Sequence, residues 1–153
     1  MGSVEKSIEV RVPVSTAYNQ WTQFESFPRF MDGVDRVDQV SPTKTHWVTS
    51  IGGVRREYEA EITDQRPDER IAWATVSGPK QAGLVSFHQV DAGTTRIILR
   101  MDVLPEGILE TLGEKLGLVG HRVEGDLKRF KAFIESRGVE EGGWRGTVDR
   151  PTL

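Results

Sequence analysis

The chain contains no cysteine. Disulfide bonds, catalytic thiols and thiolate metal ligands are therefore excluded, and cysteine usage says nothing about the redox compartment. A chain of 153 residues has about the length of one domain, and it can bury a real core without disulfide or metal cross-links. We therefore expect a single domain held together by apolar packing.

An excess of charge of one sign is also missing. The 20 basic and 23 acidic residues are well mixed and give a net charge of -3, so nucleic acid is not an expected partner. No apolar run approaches the roughly eighteen residues of a membrane span, and the start lacks the basic-then-apolar pattern of a signal peptide. We expect a cytoplasmic protein that is not an integral membrane protein. The sequence leaves its oligomeric state open.

Common catalytic motifs are absent as well. There is no G-x-S-x-G, no glycine loop that would cradle a phosphate, and no pair of acids at a pocket position. His121 and Glu124 have a spacing that metal ligands use, but no second pair accompanies them, and His121 projects away from the apolar side of its helix. His46 is a weak candidate for a general base, because either His46 or Trp47 can face inward. We expect no metal and no cofactor.

The longest apolar pattern lies in residues 106–136 and predicts a helix. A helix of this length spans about 45 Å and needs a sheet or another long helix to cover its apolar side. The apolar residues recur at alternating spacings of three and four, which forms one continuous stripe. The stripe consists of Leu109, Leu112, Leu116, Val119, Val123, Leu127, Phe130 and Ile134.

Three glycines, Gly113, Gly117 and Gly120, recur within the same predicted helix. Each costs a helix about 1 kcal/mol relative to alanine. Two explanations remain open: the helix is kinked or broken near the last two, or the missing side chains keep space open between helix and sheet. In the second case residues 109–120 would roof a pocket, and residues 123–134 would clamp the sheet.

The first forty residues predict one strand and two short helices. Residues 4–12 alternate between apolar and polar side chains, which is typical of a half-buried strand. Ser15 is a candidate N-cap for a helix over residues 16–24. The large apolar groups of residues 27–31 suit a second short helix that ends at Gly33.

Residues 34–104 predict further strands, separated by turn signals every ten to fifteen residues. This spacing favours an antiparallel meander over parallel βαβ units. In residues 54–62 one face carries Arg56 and Tyr58 among apolar residues, and the other carries charged side chains. The domain is expected over residues 1–138, followed by a loosely ordered tail over 139–153 with Trp144 as its anchor.

Specific stretches of the chain resemble a known family. They are Phe27-Pro28-Arg29-Phe30-Met31, Pro67-Asp68-Glu69-Arg70-Ile71-Ala72-Trp73, residues 83–87, Thr95-Arg96, Pro105-Glu106-Gly107 and Asp126-Leu127-Lys128-Arg129-Phe130. The sequence resembles the START and birch-pollen-allergen (SRPBCC) superfamily, in its polyketide cyclase/dehydrase branch. The resemblance implies the α+β helix-grip fold. In that fold a curved antiparallel sheet of about seven strands wraps a long C-terminal helix, with two short helices after the first strand.

The same resemblance implies an apolar cavity between sheet and long helix, entered near the two short helices. The facing of the strands and of the helix then gives the expected lining residues. They are Phe27, Phe30, Met31, Trp47, Trp73, Phe87, Met101, Val103, Leu112, Leu116, Val119 and Gly120.

Arg56 is costly to bury on an apolar face without an oxygen partner. It either meets a ligand oxygen or extends past the sheet to solvent. If it points inward, Arg56 and Tyr58 would form the catalytic pair, binding a carbonyl and donating a proton.

Two functions follow from these expectations. The first is binding of a hydrophobic small molecule such as a lipid, quinone or polyketide. The alternative is a polyketide cyclase or dehydratase that catalyses aldol cyclisation or dehydration on a substrate delivered by an acyl carrier protein. A protein-interaction domain with a filled core stays open as a third interpretation.

Overall fold

The computed structural model describes residues 2–51, 53–77, 80–103 and 112–148. The first half of this chain contains β1 (Gly2–Val10), α1 (Val14–Trp21), a 3₁₀ helix (Phe24–Arg29), β2 (Val34–Gln39) and β3 (Lys44–Ile51). The second half contains β4 (Val54–Arg66), β5 (Arg70–Thr75), β6 (Gln81–Asp91), β7 (Thr94–Val103) and α2 (Leu112–Arg137).

The strands form one antiparallel sheet in the order β1-β7-β6-β5-β4-β3-β2. Strands β2 to β7 pair with their neighbours in sequence because short turns join them, as the turn signals predict. Strand β1 instead crosses to pair with β7, with Val10 opposite Thr95 and Gly2 opposite Val103. The predicted α+β architecture, with a long C-terminal helix and two short helices after the first strand, is confirmed.

The short helices differ from the prediction in detail. Helix α1 begins at Val14 with Pro13 as its N-cap, not Ser15, and the backbone N–H of Ala17 donates to the carbonyl of Pro13 over 3.1 Å. Proline suits this place because its fixed φ leads into a helix and it has no N–H to satisfy. The second short helix lies earlier than predicted and is of 3₁₀ type, with Pro28 inside it.

Helix α2 is α-helical without a break from Leu112 to Arg137. Of the two explanations left open by the sequence, a break of the helix near Gly117 and Gly120 is therefore wrong, while residues 106–111 of the predicted helix lie outside the described residues. Its last turn is closed by the N–H of Gly138, which donates to the carbonyl of Ile134 at a φ of 73°. Among the described residues no helix is both long enough and apolar enough to cross a membrane.

Helix α2 packs along β1 at one edge of the sheet. Gly120 is buried there, and a Cβ added to it would lie 3.3 Å from Cγ1 of Val4. A salt bridge of 3.8 Å between Lys6 and Glu124 joins the same two elements. The missing side chain of Gly120 thus lets the helix approach β1 closely, whereas a Cβ on Gly117 would meet open space.

Aromatic rings fill the sheet–helix interface beside α1. Trp21 is fully buried at its centre, with its ring 4.7 Å from Phe130 and 5.9 Å from Phe30. Tyr18 of α1 packs edge-on against Phe87 of β6 at 5.4 Å. Edge-to-face packing of this kind adds about 0.5–1.5 kcal/mol per pair beyond the area buried. This end of the domain is therefore closed by side chains.

The C-terminal segment 139–148 lies along α1 and is held by side-chain hydrogen bonds. The Glu141 carboxylate accepts from Ser26 at 2.8 Å and from Gln20 at 3.1 Å, and it pairs with Arg29. Arg145 donates to Asn19 and to Asp68, both over 2.7 Å.

The segment ends in a β-bridge between Gln65 and Val148. Residues up to Val148 therefore differ from the loosely ordered tail that the sequence predicts. The reason is that polar contacts hold them, and polar contacts leave no apolar periodicity in the sequence.

Candidate functional site

The inner face of the sheet is covered unevenly by α2. At the α1 end, Ile71, Val85 and Ile97 have no exposed surface. Toward the opposite end the inward-facing side chains of the sheet and the facing edge of α2 are only partly buried. We call this set the inner patch; it consists of Tyr58, Trp73, Thr75, Gln81, Met101, Val119 and Arg122.

Trp73 forms the central apolar surface of the inner patch. It lies opposite Gly83 in the pairing of β5 with β6, and a Cβ built on Gly83 would stand only 2.2 Å from Cζ2 of the indole. Glycine is thus needed on β6 for the indole to rest on the neighbouring strand. Met101 lies on the far side of Gly83, in the pairing of β6 with β7.

Tyr58 is stacked on Trp47 with ring centroids 6.0 Å apart and planes inclined by 7°. Trp47 is 8% exposed, and its indole N–H donates to Oγ1 of Thr45 over 2.8 Å. Trp47 therefore faces inward and His46 faces outward, where its Nε2 lies 3.3 Å from the carboxylate of Glu57. Of the two neighbours that could face inward according to the sequence, Trp47 does so and His46 does not.

The hydroxyl of Tyr58 stays protonated over a wide pH range. Burial raises its pKa to about 12, although a hydrogen bond with the Gln81 side chain and the positive charge of Arg122 lower it. The backbone at Gln81 is fixed by Thr75, whose Oγ1 accepts from the Gln81 N–H over 3.1 Å. At neutral pH Tyr58 is therefore a hydrogen-bond donor and not a base.

The expected lining residues divide into four groups. Phe27, Phe30 and Phe87 lie in the aromatic core and are at most 4% exposed, so the end beside the short helices is filled by rings. Met31 packs against that core and is partly buried. Trp73, Met101 and Val119 belong to the inner patch, and Trp47 backs it by stacking on Tyr58. Gly120 faces β1 instead, and the side chains of Val103, Leu112 and Leu116 lie outside the described residues.

Arg56 is exposed, although it shares the inward side of β4 with Tyr58. It lies two residues from the start of the strand, where a long side chain reaches solvent at the rim. The structure thus places Tyr58 in the inner patch and leaves the Arg56 side chain outside it.

Three polar residues of the inner patch, Thr75, Gln81 and Arg122, are not among the sequence-predicted site residues. Gln81 has a sequence signal, because it alternates with Gly83 and Val85 on the inward face of β6. Arg122 lies three residues after Val119, so it borders the apolar stripe of α2. A charged residue at the border of an apolar stripe usually faces water. The proximity of Arg122 to Tyr58 therefore cannot be predicted from the sequence and is seen only in the folded structure.

The outer face of the sheet carries two shallow depressions, of about 340 and 480 Å³. The smaller is lined by carboxylates such as Asp35 and Asp38 together with Arg36 and Arg55, so it has no dominant sign of charge. The larger is lined by Val90 and Ile98 beside polar groups. Neither touches the inner patch.

An antiparallel sheet that wraps a long C-terminal helix, with two short helices after the first strand, is the helix-grip fold of START-like proteins. A START superfamily protein from Mycobacterium smegmatis superposes with a TM-score of 0.77 at 17% identity, over 88% of this chain and 98% of that one. The Zhui aromatase/cyclase from Streptomyces sp. R1128 superposes with a TM-score of 0.74 at 14% identity, over 94% of this chain and 99% of that one. At these identities the likeness concerns the fold alone.

The sequence itself gives the family. The family described as polyketide cyclase / dehydrase and lipid transport matches residues 10–132, and the chain belongs to it. A relative from Streptomyces lincolnensis, described as an uncharacterized 17.2 kDa protein, is 59% identical over 149 residues, which cover 97% of this chain and 99% of the relative.

Proposed function

We propose that the protein binds a hydrophobic small molecule, such as a lipid, a quinone or a polyketide, against the inner patch between the sheet and α2. The observation that carries this proposal is the partial exposure of Trp73, Met101 and Val119 on a face that is fully buried at its other end. Covering about 150 Å² of such surface would contribute about 4 kcal/mol of binding free energy. A ligand of this kind would complete the core.

The polar groups of the inner patch suit a ligand with one or two oxygen atoms. Tyr58 keeps its proton and can donate it to a carbonyl or hydroxyl oxygen. An apolar surface with few, well-placed polar groups is typical of sites for small hydrophobic ligands. The family description, which includes lipid transport, agrees with this assignment.

Native mass spectrometry before and after organic extraction tests the proposal. The expected result is a bound mass that extraction removes and that one member of a panel of fatty acids, quinones and polyphenols restores. Trp73→Ala should abolish the restored binding, and Trp144→Ala, in the C-terminal segment, serves as the matched control. If wild type carries no bound mass and binds no member of the panel, the proposal is overturned.

Catalysis of aldol cyclisation or dehydration is the second candidate, because Tyr58 is a desolvated proton donor and the family includes cyclases. In the cyclisation water takes up the α-proton of the substrate, the resulting carbanion forms a carbon–carbon bond to a ketone, and the ketone oxygen takes up the Tyr58 proton; the hydronium ion then reprotonates the phenolate. An acyl carrier protein would deliver the linear substrate.

Turnover of a linear poly-β-ketone tests this candidate. Tyr58→Phe should abolish cyclisation while leaving binding of the cyclic product within about threefold. Arg56→Ala tests the other predicted catalytic residue, because unchanged turnover removes Arg56 from the mechanism. If Tyr58→Phe cyclises the substrate as fast as wild type, catalysis by Tyr58 is excluded.

A further inference from the structure

Arg122 lies on the edge of α2 that faces away from β1. Gly120 and Glu124 both contact β1, and two residues along a helix turn by about 200°, which places Arg122 on nearly the opposite side. Asp126, one turn further along the same edge, accepts a hydrogen bond of 3.1 Å from the N–H of Asp32, ahead of β2. This edge therefore faces the loop that leads into β2, away from β1.

In the described part of the chain Arg122 has no ion-pair partner of its own, although Asp126, one turn along the helix, is near enough for the charge of Arg122 to lower the pKa of its carboxyl group, which burial raises. Arg122 is partly buried, and neither a salt bridge nor a hydrogen bond joins it to another described residue. The nearest acid along the helix, Asp126, is already paired with Arg129, whose Nε also donates to the carbonyl of Phe30 over 2.9 Å. Glu124 points to the other side and pairs with Lys6 and Lys128.

A partly buried guanidinium is stabilised most by a carboxylate, which accepts two parallel N–H donors. Arg122 is near enough to Tyr58 on the sheet for its charge to lower the pKa of the Tyr58 hydroxyl, which is also hydrogen-bonded to the Gln81 side chain. Trp73 lies on the same face, two residues from Thr75, whose hydroxyl accepts from the Gln81 N–H. A cation on α2 and hydrogen-bond donors on the sheet, with an indole beside the donors, would match a molecule with an acidic head and an apolar body.

We propose that Arg122 makes the inner patch selective for hydrophobic ligands that carry a carboxylate, which binds between the guanidinium of Arg122 and the hydroxyl of Tyr58. This assignment rests on the proposed ligand-binding function and specifies the class of ligand. Tyr58 acts as a second donor, because a protonated phenol gives a hydrogen bond to a carboxylate oxygen. Gln81 positions the Tyr58 hydroxyl through their side-chain hydrogen bond.

The test compares acids with neutral analogues on the full-length protein after organic extraction. Isothermal titration with decanoate and decan-1-ol, and with 2-naphthoate and 2-naphthamide, gives the acid-over-neutral preference. Wild type should prefer the acid by about tenfold or more, equivalent to about 1.4 kcal/mol. Arg122→Gln should reduce this preference to about threefold or less by weakening only the acid, and Arg122→Lys should retain part of it.

Arg55→Gln is the matched control, because Arg55 lies on the outer face beside Asp35 and Glu57. It should leave the preference unchanged. Equal binding of acid and neutral analogue by wild type, or equal weakening of both by Arg122→Gln, would overturn the role of Arg122 while leaving the binding function intact. If wild type binds neither member of either pair, the binding function is contradicted together with this inference.

Discussion

The indole of Trp73 rests on Gly83 of the neighbouring strand, where a Cβ would stand 2.2 Å from Cζ2 and 2.4 Å from Cε2. The indole is part of the sheet's packing and also the largest apolar surface of the inner patch. A methyl group at position 83 must therefore displace the Trp73 indole or strand β6. Both the stability of the sheet and the shape of the inner patch depend on this contact.

Gly83→Ala should lower the free energy of unfolding by about 1–3 kcal/mol, the usual cost of overpacking, and it should weaken ligand binding because the indole is displaced. Urea denaturation and titration with decanoate measure the two effects. Gly93→Ala, in the exposed turn between β6 and β7, is the control, because a Cβ there comes only within 4.0 Å of Asp91. Normal binding by Gly83→Ala would show that the position of Trp73 does not matter.

Two glycines of α2 should respond differently to alanine. Gly117→Ala should raise the free energy of unfolding by about 1 kcal/mol, because alanine favours helix and a Cβ meets nothing within 4 Å. Gly120→Ala should gain less or lose stability, because its Cβ would press on Val4 at 3.3 Å. Thermal unfolding of both variants checks the difference. Equal stabilisation by the two would mean that α2 does not lie close to β1.

Tyr58 should ionise far above a free tyrosine. Its pKa is raised to about 12 by burial, so the tyrosinate absorbance of the folded protein should stay low at about pH 10, where an unfolded chain is half ionised. Because the folded-state pKa is raised, this group favours the folded state below about pH 10, and that contribution is lost as the pH rises through its folded-state pKa.

Tyr58→Phe should remove one step of the tyrosine titration and leave that of Tyr18. Arg122→Gln should move the Tyr58 step still higher, since the positive charge of Arg122 lowers this pKa. A Tyr58 step at the same pH in Arg122→Gln would mean that the two groups do not face each other.

Glu141 should make the contribution of the C-terminal segment to the free energy of unfolding depend on pH in the acid range. Its hydrogen bond from Ser26, its bond from Gln20 and the charge of Arg29 lower the pKa of its carboxyl group. A lowered folded-state pKa contributes stability above the unfolded value of about 4.3, and this contribution is lost as the pH falls through the folded-state pKa.

Glu141→Gln should therefore cost about 1 kcal/mol at neutral pH and almost nothing in strong acid. Denaturation at a series of pH values measures the difference from wild type, and Glu61→Gln, at an exposed site on β4, is the control. A cost for Glu141→Gln that does not change with pH would contradict the role of its charge.

The sequence predicts the sheet well because alternation and turn residues are local signals. The face assignment of Tyr58, the antiparallel meander from β2 to β7 and the long helix all follow from such patterns. The position of Arg122 near Tyr58 could not be predicted from the sequence, because it depends on how α2 packs against β1. The docking of Glu141 and Arg145 on α1 is likewise not predictable from sequence patterns, since it joins residues more than a hundred positions apart through polar side chains.

The four tryptophans of the chain are placed so that one measurement can test the binding surface. Trp73 lies in the inner patch, Trp47 stacks on Tyr58 at its border, Trp21 is enclosed in the aromatic core, and Trp144 belongs to the C-terminal segment. Each gives one indole N–H signal in a ¹⁵N-correlated NMR spectrum, which single Trp→Phe variants assign.

Titration of the extracted protein with decanoate, followed through these four indole signals, tests the central claim most directly. The Trp73 signal should shift most, the Trp47 signal should shift less, and the Trp144 signal should stay in place. Saturable shifts at Trp144 with none at Trp73 would contradict binding between the sheet and α2.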